Sequence, residues 1–214
     1  MSATRIFIAL AALLGMVSCN RKGGSTAETP ASPATLSEQA KPSPAAEPVP
    51  MEKFLQSALD GDLATVKQAL AQPGAATYAG PDGRTALMLA AFNGHTGIAE
   101  LLLDAGAKLD AIDPTKRTAL MYAASGPNEV TVAMLVKRGA NVNLTDGEQN
   151  WTPLMFATAE GNTEVARILL GAGADPNAID SDGDTSLKFA ESKGFTEIAK
   201  MITAAKARAE KSGQ

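Results

Sequence analysis

Any chemistry in this chain would have to run through very few side chains. There is one histidine, His95, and one cysteine, Cys19, in 214 residues. A lone imidazole with no serine, thiol or second ligand at usable spacing assembles neither a nucleophile–base pair nor a zinc cage. His95 follows Gly94 and reads as a structural turn residue. The run Asp180-Ser181-Asp182-Gly183-Asp184, with Glu191 at its twelfth position, has the outline of a calcium loop. The glycine such a loop needs at its sixth position is Thr185 here, so the run reads as an acidic turn. Gly171-Ala172-Gly173 ends an apolar run instead of opening a helix after a strand, so it is a helix stop and not a phosphate cradle. No catalytic residue, metal or cofactor is expected, and the chain reads as non-enzymatic.

Composition narrows the partners as well. The chain is 45% hydrophobic and 4% aromatic, with 19 basic against 23 acidic residues and a net charge of −4. That balance does not make a phosphate-neutralising surface, so nucleic acid is not an expected partner. Abundant Ala, Leu and Gly suit closely packed small helices better than a β-sandwich.

The first eighteen residues read as a signal peptide. Arg5 supplies the positive start and residues 6–17 form an apolar run of twelve. That is shorter than the roughly 20 residues a membrane span needs. Met16-Val17-Ser18-Cys19 resembles the bacterial lipobox, with Met16 where that family usually carries Leu. The resemblance implies that Cys19 becomes a lipidated N-terminus and that the chain belongs to the cell envelope. In Gram-negative lipoproteins an Asp after the cysteine favours inner-membrane retention. Asn20 therefore leans toward the outer membrane, with the domain facing the periplasm. Residues 19–50 carry six of the twelve prolines, and only Leu36 and Val49 there are large and apolar. Such a stretch cannot offset its ordering entropy and is expected to be a disordered tether, reaching roughly 30 to 100 Å.

From residue 51 onward the sequence repeats. Thr85-Ala86-Leu87-Met88-Leu89-Ala90 returns as Thr118-Ala119-Leu120-Met121-Tyr122-Ala123, then Thr152-Pro153-Leu154-Met155-Phe156-Ala157, then Thr185-Ser186-Leu187-Lys188-Phe189-Ala190, at spacings of 33, 34 and 33 residues. Each copy leads to a second apolar run, and three of these close on Gly-Ala, at Gly106, Gly139 and Gly173. The pattern resembles the ankyrin repeat, over residues 51–206. Each Thr suits a helix N-cap, and Pro153 suits the first helical position. Each Leu shares a helix face with the Ala three residues later. The expected fold is all-α: a solenoid of helix pairs with projecting β-hairpin fingers. Three full repeats stand between capping repeats at each end, because no repeat buries its apolar face alone. Phe54 to Leu63 lacks the Thr-x-Leu start, as an N-terminal cap would. Lys188 and Lys206 mark a polar C-terminal cap, followed by a polar tail at 207–214.

Two departures carry expectations. Met88, Met121, Met155 and Lys188 replace the family's usual histidine, so that histidine's hydrogen bonds to the neighbouring finger are expected to be absent. Ser125-Gly126-Pro127-Asn128-Glu129 stands where a short Gly-His turn is expected, so the helix–helix turn of the second full repeat is expected to be distorted.

Ankyrin domains bind proteins with finger tips and the exposed side of the inner helices. Carried over by repeat position, that concave face holds Arg84, Phe92, Asn93, Thr115, Arg117, Ser125, Gln149, Trp151, Glu160, Asp184 and Lys193. An aromatic group among arginines with a polar rim suits a binding hot spot. Trp151, beside the one-residue insertion at 146–150, is either a binding anchor or an indole folded onto the neighbouring finger. The resemblance implies a monomeric, protein-binding envelope module, acting as an immunity-type inhibitor or supporting an envelope enzyme. The alternative is a structural or stress-related lipoprotein with no specific partner.

Overall fold

The computed structural model describes residues 47–212. The expected signal peptide, Cys19 and the expected tether as far as residue 46 lie outside the described residues. Ten α-helices follow one another in pairs: α1 Met51–Asp60 and α2 Leu63–Leu70, α3 Ala86–Phe92 and α4 Thr96–Asp104, α5 Ala119–Ala124 and α6 Glu129–Lys137, α7 Pro153–Ala159 and α8 Thr163–Gly171, α9 Ser186–Lys193 and α10 Thr196–Ser212. The odd-numbered helices stack as an inner layer and the even-numbered ones as an outer layer. Between pairs the chain makes four fingers, each closed at its base by one backbone bond: Gly80 to Arg84, Asp113 to Arg117, Asp146 to Trp151 and Asp180 to Asp184.

The repeated threonines act as the spacing predicts. Thr85, Thr118, Thr152 and Thr185 sit in extended backbone, and each hydroxyl accepts the N–H three residues on, at 3.3–3.4 Å. Ala90, Ala123, Ala157 and Ala190 are wholly buried, so neighbouring inner helices approach closely. Leu87, Leu120 and Leu154 fill the seam and are at most 1% exposed, each worth roughly 2 kcal/mol of burial. Leu187, in the last repeat, is only half-buried and Lys188 beside it is exposed, because no further repeat covers them. The outer layer is anchored by pairs such as Ile98 with Leu102 and Val165 with Leu169.

The methionines act within their own repeats. The sulfur of Met88 accepts the N–H of Thr85 at 3.4 Å, and that of Met155 accepts the N–H of Thr152 at 3.5 Å. A buried thioether is a weak acceptor but has no competing water there, so part of the capping arrangement survives on sulfur.

The turn of the second full repeat is altered as expected. At Gly94 and Gly161 the backbone is left-handed, which lets His95 and Asn162 bond back to Ala90 and Ala157 at 2.9 Å. Pro127 holds that position between α5 and α6 and cannot turn left-handed. No matching bond runs from Asn128 to Ala123 among the described residues, and α5 has only six residues.

Both ends depart from a regular repeat. Lys206 stands where glycines follow α4, α6 and α8, so α10 continues to Ser212. At the other end, residues 47–50 run beside α2. Gln68 Nε2 donates to the Glu47 carbonyl at 3.0 Å, Gln72 Nε2 to the Val49 carbonyl at 2.9 Å, and Val49 is 6% exposed. The folded unit therefore begins ahead of the boundary expected at residue 51.

Candidate concave binding face

The site is built from positions counted from each capping threonine. One residue before it stand Arg84, Arg117, Trp151 and Asp184; four residues after it stand Leu89, Tyr122, Phe156 and Phe189. Stacking turns each set into a row across the inner helices.

The fingers are shaped by carboxylates. Asp113 Oδ1 accepts the N–H groups of Thr115 and Arg117 at 2.8 and 2.9 Å. Asp146 Oδ1 accepts those of Gln149 and Trp151 at 3.1 and 3.0 Å. Asp180 Oδ1 accepts those of Asp182 and Asp184 at 2.9 and 2.8 Å. These carboxylates are 7%, 2% and 8% exposed. Charged acceptors satisfying two backbone donors each hold the loops firmly. The acidic run at 180–184 thus spends its first carboxylate on its own backbone. In the first finger the equivalent residue is Gly80, where a Cβ would lie 2.8 Å from the tip of the Leu55 side chain, so an aspartate there would require Leu55 to shift.

The second oxygen of each carboxylate holds the face. Asp113 Oδ2 accepts the Tyr122 hydroxyl at 2.7 Å, and Asp180 Oδ2 accepts Trp151 Nε1 at 3.3 Å. Asp146 Oδ2 lies 3.5 Å from Arg117 Nε. Burial first, then the bond to Asp113 and its charge, pushes the Tyr122 phenol well above its ordinary range.

Arg117 and Trp151 sit at the centre. The Arg117 guanidinium lies 5.4 Å over the Phe156 ring and donates to Glu148 at 2.9 Å. The insertion in the third finger is what brings Glu148 there. Trp151 meets Phe156 and Phe189, each at 5.2 Å between ring centres. The indole is therefore packed and hydrogen-bonded locally, yet remains partly exposed at the face.

The eleven residues expected on the face separate into two rows. Arg84, Thr115, Arg117, Gln149, Trp151 and Asp184 lie along the fingers. Arg84 is held by Asp82 of its own finger, and Asp184 by Lys188. The Thr115 hydroxyl donates to Asp113 at 2.7 Å, and the Gln149 carbonyl accepts the Ser181 N–H of the next finger at 2.9 Å. Phe92, Asn93, Ser125, Glu160 and Lys193 lie instead at the far ends of the inner helices. Phe92 packs edge-on to Tyr122, 6.2 Å between centres. Asn93 and Lys193 donate to carbonyls of the preceding repeat, Leu59 and Ala159, while Ser125 bonds the Tyr122 carbonyl and Glu160 is exposed. Between the two rows lies the column Tyr122, Phe156 and Phe189, which the sequence reading did not single out. Its signal was an aromatic four residues after three of the four threonines.

His95 Nε2 lies 3.0 Å from the Leu59 carbonyl, and no cluster of three metal-ligating side chains occurs among the described residues.

Stacked helix pairs with hairpin fingers and a partly exposed aromatic face define a helical-repeat solenoid of the protein-binding kind. The family model for ankyrin repeats matches residues 54–146 and 131–212, and the chain belongs to the ankyrin-repeat family. That family typically supplies non-enzymatic scaffolds for protein partners. Comparison with curated proteins finds no match.

Proposed function

We propose that the chain is a lipid-anchored binding scaffold of the cell envelope that holds a partner protein on its concave face. The observation that carries this reading is the partly exposed aromatic row of Tyr122, Trp151 and Phe189 backed by buried Phe156, fixed in place before any partner arrives. Tyr122 and Trp151 are held by hydrogen bonds to Asp113 and Asp180, and Arg117 by its stacking on Phe156. Side chains already immobilised lose little further entropy on binding, and Trp, Tyr and Arg are the types that dominate hot spots. A face four repeats long offers roughly 800 Å², enough for a specific complex.

Envelope placement rests on the sequence: Arg5, the apolar run at 6–17 and Cys19 in a lipobox-like setting. With Asn20 next, the reading is attachment at the outer membrane with the repeats in the periplasm, on a tether from Cys19. The module needs no cofactor and acts as a monomer, occluding a toxin or enzyme or supporting an envelope enzyme.

The test is crosslinked capture from the native envelope, with partners identified by mass spectrometry. Wild type is compared with Lys116→Glu/Glu160→Arg on the concave side and Lys137→Glu/Lys200→Glu on the outer helices. A stoichiometric protein lost only from the concave variant supports the reading. An identical set from all three overturns it and leaves a spacer lipoprotein. Radiolabelled palmitate incorporated by wild type and not by Cys19→Ser checks the anchor; no incorporation by wild type removes it.

A further inference from the structure

The concave face is electrically polar along its length. The first two fingers, residues 79–85 and 112–118, hold Arg84, Lys116 and Arg117 against Asp82 and Asp113. The last two, residues 145–152 and 179–185, hold five carboxylates and no cation of their own; Lys188 on α9 answers Asp184, and Arg117 of the second finger answers Asp146 and Glu148. The excess of positive charge therefore lies toward the N-terminal half and the excess of negative charge toward the C-terminal half. Lys116 at one end and Asp182 at the other are exposed. The aromatic floor lies between them, and the Arg117–Phe156 contact marks the crossover.

This inference rests on the concave face being the binding surface. We infer that the face takes an extended segment of a partner protein bearing an acidic group at one end and a basic group at the other. The acidic end seats at Arg84, Lys116 and Arg117, and the basic end at Asp182 and Asp184. An apolar or aromatic side chain between them lies on the partly exposed Trp151, which buried Phe156 backs. Charge complementarity sets the direction, since the reversed placement would set like charges against both ends. Dimensions set the length. Arg84 and Asp184 are three repeats apart, and helices packing 8–10 Å apart separate them by about 27 Å, or about eight residues of extended chain. Glu148 is the segment's competitor: it is exposed and bonded to Arg117 in the unbound protein, where the partner's carboxylate would sit.

The experiment uses the full chain and two fluorescein-labelled ten-residue peptides of identical composition. One carries two glutamates at one end, two lysines at the other and a Leu-Phe centre; in the other the charges alternate. The segregated peptide is expected to bind at least about tenfold more tightly. Lys116→Glu/Asp182→Lys, with both sites exposed and the thermal midpoint checked, should weaken it by about tenfold, and Glu148→Gln should strengthen it. Equal binding of the two peptides, or affinity unmoved by the exposed variants, overturns the polarity while leaving the concave face as a binding surface. No binding of either peptide to wild type overturns the extended-segment inference, and the envelope capture then decides the concave face separately.

Discussion

The two edges of the stack solve one problem, joining repeat to repeat, by different means. Along the finger edge, buried carboxylates of Asp113, Asp146 and Asp180 organise their own loops and then hold Tyr122, Arg117 and Trp151. Neighbouring fingers are joined by Gly147 to Thr115 at 2.7 Å and Ser181 to Gln149 at 2.9 Å. Along the turn edge the links are mostly neutral. His95, Asn128 and Asn162 reach back to the carbonyls of Leu59, Phe92 and Ala124, ending the preceding inner helices. Each turn-edge link is one modest bond, replaceable by water if lost. Each finger-edge carboxylate is a shared acceptor, and its removal strands several donors at once. The finger edge is thus rigid and intolerant, which suits the edge that presents the face, while the turn edge spreads its load.

The largest expected effect follows from that asymmetry. Asp146→Ala removes the acceptor for two backbone N–H groups and one partner of Arg117, and should cost about 3 kcal/mol in urea unfolding. A loss below about 1 kcal/mol would mean the carboxylate is not the organising group. On the turn edge, Asn162→Ala should cost about 1 kcal/mol by the same assay. A cost matching that of Asp146→Ala would erase the distinction between the edges. Smaller still is a gain. Lys116 has φ +59°, at the finger position that Gly83 and Gly183 occupy in the first and last fingers. Lys116→Gly should raise stability by about 0.5 kcal/mol, relief of the left-handed strain exceeding the added freedom of the unfolded chain. A thermal melt showing destabilisation would refute this. The smallest effect is spectroscopic. The Tyr122 phenol is held above its unfolded value of about 10, so its contribution is present below about pH 10 and lost as pH rises through the native value. Absorbance at 295 nm should show a late ionisation that Tyr122→Phe abolishes. An unchanged titration in that variant would contradict the bond to Asp113.

The fold was legible because it depends on recurrence. Four capping threonines at a period of 33 or 34 residues, each followed by Leu and then Ala, define two helices and a turn. The altered turn at Pro127 was legible for the same reason, as a break in a pattern. The finger carboxylates were harder. Asp113 and Asp180 stand five residues before their threonines, but the insertion moves Asp146 to six and Gly80 interrupts the series. What makes them organisers, two backbone donors converging on one oxygen, is invisible without coordinates. The sulfur caps escaped because methionine at a histidine position reads as loss, and burial is what turns a thioether into a usable acceptor. Lys116 gave no hint of left-handed backbone, since lysine, unlike glycine or the Asn150 of the next finger, does not favour that conformation.

The junction at residues 47–50 has a mechanical consequence. Glu47 and Val49 are tied side by side to Gln68 on α2 and to Gln72 just past its end, with Val49 plugged into the core. A pull on the preceding chain directed along the axis of α2 loads both amide bonds and the buried valine together. A pull away from the helix frees Glu47 first, then Val49. The same four residues are therefore a firm attachment under sliding force and a weak one under peeling force.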